Sequence, residues 1–291
     1  MKSDVTFETG EYGRRAVLHS DWSGRLLALL LTKDVAELEL NQGKGWRGSD
    51  IAFLRNLPNL RAFEIFDFNI RDISPIHSLH NLRRLGITTY CSTRIDFGAF
   101  TKLESCALEW RPGASSLFEC LTLRDLFINR YKGRDVTPFT KLVDLQSLAI
   151  LNAPVATLQG LSVLTKLRRL RLANLRKLTS LAGIEGLANL EELDINTCRS
   201  IGSIEEVGSL THLKRLEINN DGPIRSLKPI LKLHGLDSVG FYESTDILDG
   251  DLSPLLLQPR LSRLSFQNRK HYSHRREDFS SYSERSLNVK V

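Results

Sequence analysis

The chain is predicted to fold as an α/β solenoid of about eleven turns. The expected form is a horseshoe-like arc, with a parallel β-sheet on its concave face and 3₁₀ or irregular helical turns on its convex face. Three observations predict it. The first is recurrence: "LRRLRLANL" (167–175), "LEELDINTC" (190–198) and "LKRLEINND" (213–221) share one pattern of apolar positions at a spacing of 23 residues. Counting from the first apolar residue of each copy gives Val35, Leu60, Leu82, Leu103, Leu123, Leu145, Leu167, Leu190, Leu213, Leu236 and Leu261, at intervals of 20 to 25 residues. The second is alternation inside each copy. Leu170 and Leu172 alternate with Arg169, Arg171 and Ala173, the period of a short strand with one buried and one wet face. The third is a change of period between copies, where Val155, Leu158, Leu161 and Leu164 recur every three residues, as in a tight helical return. A single such strand cannot bury its own leucines, so the copies must stack.

Taken in chain order, residues 1–34 are expected to cap the solenoid, because an open end would expose leucines and an unpaired strand edge. "RRAVLHS" (14–20) alternates like a strand, and "DWSGRLLALLLTKD" (21–34) reads as an amphipathic helix begun by Asp21. Residues 35–269 carry the repeats. "GKGWRGSD" (43–50) is glycine-rich, but no G-K-[ST] opens a helix behind it, so it is expected to be an exposed loop. In "IRDISPIHSLHNL" (70–82) and "IRSLKPILKLHGL" (224–236), Pro75 and Pro229 fall in the returns, where no ladder N–H is needed. Residues 270–291 lose the repeat and form a basic cap or tail. Tyr272, Phe279 and Tyr282 are expected to fold over the last turn, with disorder beyond about Ser283.

These repeats resemble the leucine-rich-repeat proteins, specifically the short-repeat type of internalins and related bacterial proteins. "IRDISPIHSLHNLRRLGI" is nearest to that pattern, and "LRKLTSLAGIEGLANLEELDINTC" is similar to its cysteine-ending variant. The family usually places Asn at the ninth motif position, bridging the backbones of adjacent turns. Here that column reads Gly43, Phe68, Tyr90, Arg111, Tyr131, Ala153, Leu175, Cys198, Asp221, Ser244 and Arg269. The family's ladder is absent, and those backbone groups must be satisfied otherwise. The resemblance implies a non-enzymatic protein-binding module, such as a bacterial cytosolic adaptor, an inhibitor or an immunity protein that neutralises a toxin. An alternative is a host-directed effector or a nucleic-acid-associated factor that uses the basic C-terminal tail.

Composition narrows the field. No apolar run reaches the length of about 18 residues that a membrane span requires, and "MKSDVTFETGEYGRR" does not read as a secretory signal. The four cysteines, Cys91, Cys106, Cys120 and Cys198, show no C-x-x-C spacing and read as structural thiols. Extracellular members of the family that the repeats resemble typically carry cysteine-rich caps, a signal peptide and a wall anchor, and since none is read here the resemblance implies a cytoplasmic location. The net charge of +6 resolves into eight basic and three acidic residues over 260–291, leaving about +1 elsewhere. That distribution argues against a nucleic-acid groove. A monomer is expected.

No cofactor, metal or catalytic set emerges. The histidines of "HYSH" (271–274) lack companion ligands at ligand spacing. Arg169, Glu192 and Arg215 fall in one column of neighbouring strands, and Arg171, Asp194 and Glu217 in the next, which reads as a ladder of opposite charges. On the concave face the central turns carry small residues, Gly86, Ser105, Ala107, Ser147, Ala149 and Ala173, with large side chains around them. Outward apolar groups mark partner sites. The candidate partner-binding residues are therefore Phe66, Trp110, Phe127, Leu151, Arg169, Arg171 and Tyr242, with Trp110 and Phe127 as anchors.

Overall fold

The computed structural model describes residues 4–279. Tyr282 and the stretch expected to be disordered beyond Ser283 lie outside them. The chain divides into two compact units, Met1–Ile128 and Asn129–Val291.

In the first unit, strands β1 (Val5–Thr9), β2 (Arg14–Leu18), β3 (Val35–Asn41), β4 (Ala62–Phe66), β5 (Arg84–Thr88), β6 (Ser105–Glu109) and β7 (Asp125–Asn129) lie side by side in chain order. β1 runs antiparallel to β2, and β2 runs parallel to β3. Helix α1 (Gly24–Thr32) connects β2 to β3. β1 goes beyond the strand-plus-helix cap expected from the sequence. The helix also starts later than Asp21: the Ser23 hydroxyl caps it by accepting the Leu26 N–H at 3.4 Å. Trp22 lies outside the helix with its ring stacked on Phe53, centroids 3.5 Å apart. The loop 43–50 is a second correction. Its Trp46 is fully buried, edge-on to Phe53 at 6.1 Å, so this loop plugs the core between the first two repeats rather than standing free.

The second unit continues with β8 (Ser147–Leu151), β9 (Arg169–Ala173), β10 (Glu192–Asn196), β11 (Arg215–Asn219), a short β12 (Pro223–Ile224), β13 (Ser238–Tyr242), a short β14 (Asp246–Ile247) and β15 (Arg263–Phe266). β12 and β14 pair with each other, while the remaining strands form a parallel series. A four-residue helix, α2 (Ser253–Leu256), fills the last return. Elsewhere the returns are 3₁₀ segments, such as Ser74–Ser78, Leu161–Val163 and Lys228–Lys232. Pro75 and Pro229 sit in the first turn of theirs, where a missing N–H costs nothing.

Register follows the motif. Leu148, Leu170, Leu193, Leu216, Val239 and Leu264 are successive partners across β8, β9, β10, β11, β13 and β15. Each buried leucine removed from water contributes about 1.5–3 kcal/mol, and here every one lies against its counterpart in the next turn.

The missing ninth-position asparagines are replaced one residue earlier. Arg130, Asn152, Asn174, Thr197, Asn220 and Glu243, all at the eighth position, have φ between 53° and 59°. In all of these but Glu243 the N–H donates to a carbonyl of the following turn. Asn152 donates to the Ala173 carbonyl at 2.9 Å and Asn174 to the Asn196 carbonyl at 2.8 Å. The side chains add a ladder, Asn174 Nδ2 to Asn152 Oδ1 at 2.6 Å and Asn152 Nδ2 to Asn129 Oδ1 at 2.8 Å. Asn tolerates this conformation better than most residues. After five of these six the ninth residue lies inward, with Tyr131, Ala153, Leu175, Cys198 and Asp221 all buried, while Ser244 after Glu243 is exposed.

At the C-terminal end, Tyr272 and Phe279 fold back as expected. Both are buried, in ring contact with Phe266 at 6.2 and 5.9 Å. The Tyr272 hydroxyl accepts the Ile247 N–H and donates to Asp246, each at 3.1 Å. No helix is long and apolar enough to cross a membrane among the described residues.

Candidate functional site

The solvent face of the first unit's sheet carries the most distinctive surface. Its floor is Gly86, Ser105 and Ala107, outward residues of β5 and β6 too small to fill the space above them. The result is a hollow of about 340 Å³. One wall is Phe66, 40 % exposed at the end of β4. The other is ionic. Arg84 lies 3.1 Å from Glu64, and its Nη2 is 2.5 Å from the buried Glu37. The Tyr12 N–H also donates to Glu37 at 2.6 Å, and the Arg84 guanidinium lies over the Tyr12 ring at 5.6 Å. Glu39 is bracketed by Arg15 at 2.6 Å and Lys44 at 2.8 Å. Burial alone would raise the Glu39 pKa, but hydrogen bonds from Lys44, Arg15 and Asn41 hold it below the ordinary carboxylate range. These charges are consumed by one another, and so they fix the wall rather than offering a reactive group.

Phe66 does not stand alone. Its ring meets Phe68 edge-on at 4.9 Å, and Phe68 stacks on Tyr90 at 4.3 Å. Tyr90 is 76 % exposed. Phe68 and Tyr90 occupy the ninth motif position, which points inward through most of the second unit. In these two turns the eighth residue lacks the left-handed turn and is itself the buried one. Asp67 is buried, accepting the Asn69 N–H at 2.6 Å, and Thr89 is buried beside Arg111. With the eighth residue inside, the ninth is carried outside. Sequence reasoning named Phe66 but missed these two neighbours. The available signal was aromatic bulk in a column that elsewhere suits small or aliphatic groups.

The other expected site residues are placed as follows. Phe127 is 38 % exposed on β7. Trp110 is half-buried, its ring 6.1 Å from the buried Phe118 of the return segment, so much of its surface is already covered. In the second unit Leu151 is half-buried, and Arg169 and Arg171 are exposed. Tyr242 is half-buried and accepts a hydrogen bond from Ser265 at 2.7 Å. The charge ladder has the expected register, with Glu192 between Arg169 and Arg215 and Asp194 between Arg171 and Glu217. Arg171 lies 3.2 Å from Asp194. His271 Nε2 donates within its own cap, to the Ile247 carbonyl at 3.0 Å. Among the described residues no group of three His, Cys, Asp or Glu side chains could hold a metal ion.

No protein-family model matches the sequence, and no curated protein matches it. Solved structures do resemble it in fold. An internalin (InlF) from Listeria monocytogenes superposes with a TM-score of 0.58 at 20% identity, covering 88% of this chain and 83% of that one. The functional domain of InlJ from Listeria monocytogenes, which includes a cysteine ladder, gives 0.50 at 14% identity, covering 86% and 69%. At such identities the likeness concerns the fold: this chain is a leucine-rich-repeat solenoid, similar in fold to these internalins. In the ninth-position column of this chain Cys198 is the one cysteine.

Proposed function

We propose, taking the leucine-rich-repeat fold as premise, that the chain is a non-enzymatic protein-binding module whose partner docks on the sheet face of the first unit. One observation carries this reading: Phe66 at the rim of the hollow, the half-buried Phe68 and the exposed Tyr90 form a continuous row of aromatic rings. Apolar rings held in water have no folding rationale there, and aromatic clusters beside a concavity are what interfaces use as anchors. Phe127, three rungs from Phe66, extends the surface by about 14 Å at ordinary strand spacing, a length suited to one helix or loop of a protein. Trp110, leaning on Phe118, supports the face from beneath its edge. A cytosolic adaptor, inhibitor or toxin-neutralising role fits this reading. The tail-based alternative has less support: of the basic residues over 260–291 that concentrate the net charge, Arg263 and Arg269 belong to the repeats and are already paired with Asp237 and Asp246 at 2.5 and 3.2 Å.

The test is site-specific photo-crosslinking in native cells, with a photoreactive phenylalanine replacing Tyr90 and, as control, Val163 in a return of the second unit. A discrete protein adduct from position 90 and none from 163 is expected. Equal labelling at both, or none at position 90, would overturn the proposal.

A further inference from the structure

A second surface of the first unit lies along the edge where its strands begin. It is a polar groove of about 750 Å³ lined by Arg14, Lys33, Arg61, Arg83 and Lys102, with Asp34 as its one acidic lining residue. Arg61 and Arg83 hold the second motif position of consecutive turns, linked through their backbones by the Arg83 N–H donating to the Arg61 carbonyl at 2.7 Å. Their side chains therefore rise from adjacent rungs about 4.8 Å apart.

The second unit shows what folding alone makes of this column. There Glu191 stands between Arg168 at 3.3 Å and Lys214 at 3.0 Å, so opposite charges alternate. In the first unit two arginines are neighbours instead, an arrangement that costs stability. Arg83 has Glu104 at 2.9 Å, and Arg14 donates to the Lys33 carbonyl at 2.7 Å. Arg61 and the Lys33 ammonium have no ion-pair partner among the described residues. On the other side of Arg61, the second position of the preceding turn is the small Ala36, which leaves the groove open.

We infer that this groove binds an extended acidic peptide segment of a partner protein. The cations set the sign of the ligand. The remaining lining sets its class: Asp34 adds a carboxylate among the cations, and Asn59 and Asn81 add amides, groups that both donate and accept. Amides match the alternating N–H and C=O groups of a peptide backbone, and the Asp34 carboxylate disfavours a continuous chain of phosphates. Lys102 Nζ already donates to the Asn81 Oδ1 at 2.9 Å, which turns the Asn81 amide N–H groups toward carbonyl acceptors such as Pro58 O at 3.2 Å. The groove is separate from the aromatic row, so its occupancy does not depend on the reading proposed above.

The experiment uses the full chain and a fluorescein-labelled octapeptide of Glu and Asp, with a single-stranded oligonucleotide of equal formal charge as competitor. Fluorescence anisotropy is read at low and high salt. The peptide is expected to bind in a salt-dependent manner and to lose about tenfold or more in affinity in the Lys33→Ala/Arg61→Ala variant, as paired charge contacts do. Both positions are exposed, so a matching thermal melt is expected for that variant. A Phe68→Ala/Tyr90→Ala variant should keep full peptide affinity, which separates this site from the aromatic one. Peptide affinity unchanged in Lys33→Ala/Arg61→Ala would overturn the inference. So would an oligonucleotide that binds more tightly and loses affinity in the same variant.

Discussion

Asp221 shows how much one residue of the ninth column can decide. It is fully buried, and its carboxylate accepts the Cys198 N–H from the preceding turn while the Thr245 hydroxyl accepts its own N–H at 3.0 Å. Its second oxygen has no partner among the described residues. Burial pushes its pKa up to about 7, the Cys198 N–H opposing and Asp194 adding to the rise. A folded pKa above the unfolded one means that the folded chain keeps a proton the unfolded chain has released. Stability is therefore lost as pH climbs from the ordinary Asp range toward 7. Asp221→Asn keeps an acceptor and removes the charge. Its melting temperature should exceed that of the parent at pH 8, with the difference shrinking as pH falls to about 4, below which both carry a neutral group. A pH-independent difference would show that Asp221 acts by shape alone.

Thiol chemistry belongs to the same scale. Burial raises the thiol pKa of Cys198 to about 12 and of Cys120 to about 11, and pushes that of Cys106 up as well. Cys91 is half-buried, its Sγ 3.9 Å from the Arg111 guanidinium. Under native conditions iodoacetamide should modify Cys91 first, because a thiolate is the reacting species; peptide mapping by mass spectrometry reads the order, and Cys91→Ser should abolish the early adduct.

At the scale of the element, the strands and their register were legible in the sequence. The apolar period-two alternation leaves a short strand one way to bury its leucines, so even the pairing of Arg169, Glu192 and Arg215 could be placed. What was hidden is the sign of one dihedral angle. In the five turns from Arg130 to Asn220 a left-handed eighth residue goes with a buried ninth, whereas at Asp67 and Thr89, which lack it, the eighth is buried and the ninth is carried toward the surface. That choice depends on neighbouring turns, and residues as different as Arg130, Asn174 and Glu243 all adopt it. Hence the aromatic row at Phe68 and Tyr90 could not be placed from the pattern, nor could the buried Trp46 in a glycine-rich loop. The dihedral is testable. Asn174→Val, a β-branched residue at φ 54°, should cost about 1–3 kcal/mol in urea unfolding, and Asn174→Gly distinctly less, since Gly adopts this backbone freely. For comparison, Leu148→Ala should cost about 2–5 kcal/mol through its core cavity, whereas Phe127→Ala on the exposed face should leave the midpoint nearly unchanged.

For the molecule as a whole, residues 270–279 cover the last turn of the repeats and are not merely a charged stretch. Removing residues 271–291 would uncover Phe266 and Phe241, each 1–2 % exposed, and would strip the Ile247 N–H of its acceptor. Tyr272→Ala should therefore destabilise the second unit by about 3–5 kcal/mol. Tyr272→Phe, which keeps the ring and loses the hydroxyl, should cost about 1 kcal/mol. Denaturant titration followed by hydrogen exchange in the last two turns reads both.

The antiparallel β1 has a bearing on how copies of this chain behave at high concentration. A repeat lattice is in principle extendable: each turn is a template for another, and an unblocked first turn would let a second molecule queue behind it into a fibre. β1 reverses the chain direction at that edge, and only Val5 of its five residues is buried. A newcomer presenting a parallel strand finds the wrong polarity and no leucine shelf to rest on, while Glu8 and the edge's other exposed residues keep it wet. The hairpin thus acts as a terminator of growth, spending one strand to keep a self-propagating pattern finite.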